Sequence, residues 1–130
     1  MLISRIFQSK FSWKMSENLV QYIIVRKDIL KERGLYFIMA ESCLACSSIH
    51  LNSHEDPATQ KYFSDIDNMH KVVLGVDNET QLEKLVKDLQ SKDIVFELRR
   101  SEENIPTCLA VKVYEKSQIA PLVKKLKLLR

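Results

Sequence analysis

Glycine and proline are scarce, with two and three residues in a chain of 130, and that scarcity argues against a loop-rich or disordered protein. No apolar run approaches the ~20 residues of a membrane-crossing helix, so a membrane is not among the expected partners. No internal repeat and no low-complexity segment breaks the chain. Cysteine is sparse and odd in number (Cys43, Cys46, Cys108), and no secretory signal is read at the start. The expectation is free thiols in a reducing compartment, and hence a cytoplasmic protein.

Acid is missing from two stretches. Residues 116–130 hold Lys116, Lys124, Lys125, Lys127 and Arg130 without an Asp or Glu, and Lys112 and the pair Arg99-Arg100 lie further back. A basic surface of this kind fits a phosphate-bearing partner. The plainer account is that lysines near a helix C-terminus complement its dipole and keep the protein soluble. Residues 1–14, MLISRIFQSKFSWK, are also acid-free and carry Arg5, Lys10, Lys14 and several serines. That is the composition of a mitochondrial targeting peptide, which makes the mitochondrion the alternative to the cytoplasm. Residues 1–16 are read as a flexible N-terminal segment and residues 17–130 as one domain. With 45% hydrophobic and 28% charged residues, that domain has the balance of an ordinary globular chain.

The apolar pattern alternates between strands and helices. Leu19 to Arg26 is apolar and β-branched with few polar interruptions, as in a strand buried on both faces. Gly34 opens a helical stretch, Leu35 to Leu51, whose apolar residues cover so much of the cylinder that deep packing is expected, with Cys46 and Ile49 against the sheet. Pro57 suits the first turn of a helix over Ala58 to Asn68. Lys71 to Val76 reads as a second buried strand. Asn78 is placed to cap the next helix, with Glu79 in its first turn and Leu82, Leu85, Val86 and Leu89 on one face. Ile94 to Leu98 and Cys108 to Tyr114 read as two more strands, close enough in sequence to be antiparallel neighbours. Ser117 is placed to cap a last helix with Ile119, Leu122, Val123 and Leu126 facing inward. Alternation of this kind implies an α/β fold, a three-layer α/β/α sandwich.

Cys43, Cys46 and His50 share one helix face, with His54 nearby, so zinc or a redox C-x-x-C pair has to be weighed. Zinc sites draw ligands from two elements, and no second Cys/His pair exists. A redox pair normally opens a helix, whereas this one lies mid-helix. Buried thiols are the expectation, with no metal and no cofactor.

The segments Val20–Ile29 (VQYIIVRKDI) and Lys71–Leu85 (KVVLGVDNETQLEKL) resemble the type-2, archaeal and eukaryotic, peptidyl-tRNA hydrolases in order and spacing. Pro57-x4-Tyr62, Met69-x-KVVL and Glu103-Asn104-Ile105-Pro106-Thr107-Cys108 resemble a divergent branch of that family, and the likeness covers about Leu19 to Arg130. The resemblance implies a mixed four-stranded sheet with helices on both faces. It also implies tRNA as partner and hydrolysis of the ester between a peptidyl or aminoacyl group and tRNA.

The same resemblance exposes losses. The family's helix opens G-K-x-A-A-Q-x-x-H-A, and here its Lys, Gln and His fall at Phe37, Glu41 and Leu44. The family's loop Asp follows the third strand, where this chain has the short run Arg99-Arg100-Ser101-Glu102-Glu103-Asn104. Arg26, Asp28, Ala45 and Thr107 match the pattern. The catalytic candidates are therefore Glu41, Glu102 and Glu103, with Glu41 as general base. The candidate tRNA contacts are Arg26, Lys27, Asp28, Arg99, Arg100 and Thr107, and the four cations are expected to line one cleft at the strand ends. Arg26 with Asp28 also reads as a plain ion pair closing the strand, and Glu41 as a partner of Arg26 or Arg33. The function expected is weak hydrolysis. The alternative is a catalytically degenerate module that binds tRNA or a protein partner and keeps the fold.

Overall fold

The computed structural model describes residues 18–129. The flexible segment expected at residues 1–16, and the targeting reading attached to it, lie outside the described residues.

The chain runs β1 (Leu19–Arg26), α1 (Lys27–Arg33), α2 (Leu35–Asn52), α3 (Pro57–Phe63), a 3-10 turn at Ile66–Asn68, β2 (Lys71–Val76), α4 (Glu79–Ser91), β3 (Phe96–Arg100), β4 (Pro106–Val111), β5 (Tyr114–Glu115), α5 (Lys116–Val123) and β6 (Lys127–Leu128). β1 is the central strand, and all eight of its residues are buried. It pairs parallel with β2, from Gln21 against Lys71 to Arg26 against Val76, and antiparallel with β4, where Ile24 faces Leu109. β3 adds antiparallel to β4. The expected α/β sandwich around a mixed sheet is present, but among the described residues the sheet has six strands rather than four. The extra two are β5 against the start of β1 and β6 against β2. Each is two residues long, too short to leave a periodic signal in the sequence.

Alternation along β1 builds both layers. Val20, Tyr22 and Ile24 pack with Leu82, Leu85 and Leu89 of α4 and Ile119 and Val123 of α5. Ile23 and Val25 pack with Ile38, Ala45 and Ile49 of α2. Each such side chain, fully buried, contributes about 1.5–3 kcal/mol. α2 departs from expectation. Its buried stripe is Ile38, Glu41, Ala45 and Ile49, while Tyr36 is 86% exposed and Met39, Leu44 and Leu51 also face solvent. Apolar residues all round this helix therefore do not mean burial all round: Ile49 is buried as expected, Cys46 only partly.

Helix starts follow their capping chemistry. Asp56 accepts from the Thr59 amide at 2.9 Å with Pro57 in the first turn of α3, and Asn78 accepts from the Gln81 amide at 3.0 Å. α5 starts two residues earlier than a cap at Ser117 implied, because Glu115 and Gln118 form a capping box. Gly34 joins α1 to α2 with φ 92° and ψ 170°, a backbone region that side chains disfavour.

A Cβ at Gly34 would have nothing within 4 Å, so substitution there tests backbone strain alone. Gly34→Ala is expected to lower stability by roughly 1–3 kcal/mol, read from the urea midpoint at unchanged slope. An unshifted midpoint would mean that this link does not adopt the conformation described.

Candidate active site

Parallel β1, β2 and β3 end at one edge of the sheet, where antiparallel β4 begins, and ligands in open α/β sheets bind outside such carboxyl ends. Two charged clusters stand there.

The first is built on Arg26, the last residue of β1, whose side chain is 9% exposed. Its Nε and Nη2 donate to Asp28 Oδ1 and Oδ2 at 3.0 and 2.7 Å, a bidentate pair. Nη1 donates to the Pro106 carbonyl at 2.9 Å and lies 3.7 Å from Glu79 Oε2. Asp28 also accepts from the Ile29 amide at 3.0 Å. The hydrogen bond from Arg26 holds the Asp28 carboxyl below its ordinary value, against the opposing effect of burial. Arg26 and Asp28 thus form the strand-closing ion pair.

The second cluster is built on Glu41, which is 5% exposed on the sheet-facing stripe of α2. Arg99 Nε donates to Glu41 Oε2 at 3.0 Å, and Thr107 Oγ1 lies 3.1 Å from Glu41 Oε1. The Thr107 hydroxyl is also 3.3 Å from the Arg99 carbonyl oxygen. Glu41 is therefore partnered by Arg99, and not by Arg26 or Arg33. The inner stripe of α2 faces β3 and β4, whereas Arg33 ends α1 at the surface. There Arg33 covers the Phe37 ring at 4.2 Å and reaches Glu103 at 3.4 Å.

The remaining candidates scatter. Glu102 and Glu103 are exposed, and neither is bonded to Glu41. Lys27 pairs with Asp77 at 2.9 Å beyond the end of β2. Arg100 lines a hollow with Leu82, Val86 and Pro106 and donates to the Asn104 carbonyl at 3.4 Å. The four cations expected in one cleft are thus dispersed: Arg99 and Arg100, neighbours in a strand, leave on opposite sides, and Lys27, already in the first turn of α1, turns to Asp77. Leu44, where the resemblance leads one to expect His, is 47% exposed.

The thiols take no part. Burial pushes the Cys46 thiol up and that of Cys108 to about 11, so neither is a ready nucleophile. Among the described residues no group of three His, Cys, Asp or Glu side chains is placed to hold a metal ion. Sequence reading missed Glu79 and the Pro106 carbonyl as partners of Arg26. Glu79 signals only a helix start, and a backbone carbonyl leaves no sequence mark.

Residues 19–129 match the profile of the family described as Peptidyl-tRNA hydrolase PTH2. The chain is similar to the human protein named "Putative peptidyl-tRNA hydrolase PTRHD1", with 35% identity over 86% of this chain and 83% of that one. The mouse protein of the same name is 34% identical over the same shares. A solved structure of a protein of unknown function from Agrobacterium tumefaciens shares the fold, with a TM-score of 0.59, 15% identity, and coverage of 87% of this chain and 98% of that one.

The Arg26–Asp28 pair sets a pH dependence. A carboxyl lowered in the folded state contributes stability above its unfolded pKa of about 3.9, and that contribution is lost as pH falls through the folded value. Asp28→Asn is therefore expected to lower the urea midpoint at about pH 7, with the gap to wild type closing as the pH is taken below about 4. A gap that stayed constant down to about pH 2 would show that the pairing is not what the carboxylate contributes.

Proposed function

The chain belongs to the PTH2 family of peptidyl-tRNA hydrolases, and from that premise we propose that it binds peptidyl-tRNA and slowly hydrolyses the ester between the acyl group and the terminal ribose. The observation that carries the proposal is Glu41, a carboxylate buried at the carboxyl edge beside Arg99 and Thr107. In this reading Glu41 takes a proton from water, and the water oxygen adds to the ester carbonyl. The bond to the ribose oxygen then breaks, and that oxygen leaves with the proton from Glu41, giving a free peptide carboxyl and a ribose hydroxyl. Arg99, half-exposed beside it, supplies positive charge for the developing oxyanion. Arg26, neutralised by Asp28 and Glu79, holds the edge together and leaves the tRNA phosphates to other cations.

The rate is low for two reasons in this reading. Leu44 and Phe37 can neither move a proton nor hold an anion. Both oxygens of Glu41 are already engaged, so it has to release a partner before it meets water. The same engagement favours the second reading, a module that binds tRNA without cleaving it and uses Glu41 only to hold Arg99 and Thr107. Free thiols suit a reducing compartment, and the cytoplasm is the proposed location.

A single-turnover assay with peptidyl-tRNA separates the two. As hydrolase, the wild-type chain exceeds spontaneous hydrolysis, and Glu41→Gln lowers the rate by about 10²–10⁴-fold while tRNA binding persists. Because Leu44 is exposed, Leu44→His adds an imidazole without a burial cost and is expected to raise the rate. Phe37→Lys is the poorer restoration, since it sets a second cation against Arg33. No hydrolysis above background, with tRNA still bound, would replace the enzyme by the binding module.

A further inference from the structure

A hollow of about 310 Å³ lies beside the site just described, between the end of β2, α4 and the chain from α5 into β6. Lys27, Lys84, Lys125 and Lys127 line it, against Asp77 and Asp88. Lys27 pairs with Asp77 at 2.9 Å, but Lys84, Lys125 and Lys127 are exposed and none is in a salt bridge among the described residues. Four lysines against two aspartates leave the concavity net positive, and its low-dielectric walls strengthen the attraction for an anion.

The backbone makes room for the arrangement. Gly75, one of only two glycines, lies under the Lys27 stem, and a Cβ there would fall 2.9 Å from Lys27 Cγ and Cδ. β6 pairs with β2 so that Lys127 is the partner of Gly75 in the sheet. The hollow also adjoins the candidate site: Lys27 follows Arg26 in the chain, and Glu79, which opens α4, is 3.7 Å from the Arg26 guanidinium.

We propose that this lysine-lined hollow is a second subsite for the phosphodiester backbone of RNA, taking phosphates on the strand whose end lies at the Arg26–Glu41 edge. The inference rests on the reading that the chain acts on tRNA, and it adds where the charged backbone is held. Lys84, Lys125 and Lys127 make the contacts. Lys27, held across Gly75, exchanges Asp77 for phosphate.

The test is binding of deacylated tRNA to the full chain over a salt series. A triple variant, Lys84→Ala, Lys125→Ala and Lys127→Ala, alters exposed side chains and leaves the core intact. It is expected to weaken binding at least ~10-fold at low salt and to reduce the slope of log K against log salt by about 2 or more, at roughly 0.9 for each phosphate that is no longer neutralised. A control triple at exposed lysines outside the hollow, Lys31→Ala, Lys87→Ala and Lys92→Ala, keeps the wild-type slope. An unchanged slope in the first variant, or an equal loss in the control, overturns the subsite.

If the wild-type chain binds no tRNA even at low salt, the tRNA reading fails by itself. Amide spectra with inorganic phosphate and with adenosine monophosphate then decide the hollow separately. Shifts at Gly75 and Gln81 that vanish in the first variant keep it as an anion site, and no shifts remove it. Such shifts together with an unaltered tRNA slope assign it to a small phosphate ligand and overturn the RNA subsite.

Discussion

A guanidinium at the end of a strand buried on both faces has to be neutralised on the spot, and the carboxyl edge of this sheet is arranged round that demand. Arg26 takes its anion from Asp28, two residues on, and so fixes an acid in the first turn of α1, where the helix dipole also favours it. It takes a carbonyl from Pro106, which pins the start of β4 to the end of β1. It draws Glu79 and the opening of α4 to the same point. Pairing of this kind is worth far more than the exposed contact of Arg33 with Glu103. A surface pair contributes about 0–1 kcal/mol and breaking a fully buried one costs about 3–5 kcal/mol; with Arg26 buried and Asp28 40% exposed, this pair lies between the two.

Glu41 is the counterpart on the α2 side, a buried anion held by a cation and a hydroxyl. The two clusters have opposite signs at their centres and share β4, through the Pro106 carbonyl in one and Thr107 in the other. Scaffold and chemistry are separable here. The match to the family spans the strands, which keep their apolar alternation, while of the two α2 positions where the resemblance leads one to expect Lys and His, Phe37 packs partly against the core and Leu44 is exposed. Core packing constrains Ile38, Ala45 and Ile49, whereas nothing in the packing constrains Leu44.

The elements legible in the sequence are those whose burial is double-sided or strongly one-sided. β1 and β2 lie where their unbroken apolar runs placed them, and the inward face of α4 follows its period. α1 was not legible, because seven residues with only Ile29 buried carry no stripe. β3 and β4 lie about two residues from where they were expected, with β4 opening at Pro106, a residue that reads as a breaker. In the site, the spacing of Arg26 and Asp28 suffices because they are local. Arg99 with Glu41 spans 58 residues, and no local pattern reports it. Lys27 and Arg100 group with Arg26 and Arg99 in sequence because they adjoin them; Arg100 diverges from Arg99 by strand alternation and Lys27 from Arg26 because the chain turns into α1 there.

The central place of β1 has a consequence for how the protein is made. The strand LVQYIIVR leaves the ribosome before either neighbour exists. Its parallel partner begins at Lys71 and its antiparallel partner at Pro106, so most of the chain has to be synthesised before both edges are covered. Pairings this distant in sequence close slowly, and an uncovered apolar strand is open to association with other nascent chains in the meantime. Among the described strands the central one is thus translated first and enclosed last, so it stays open to such association longest.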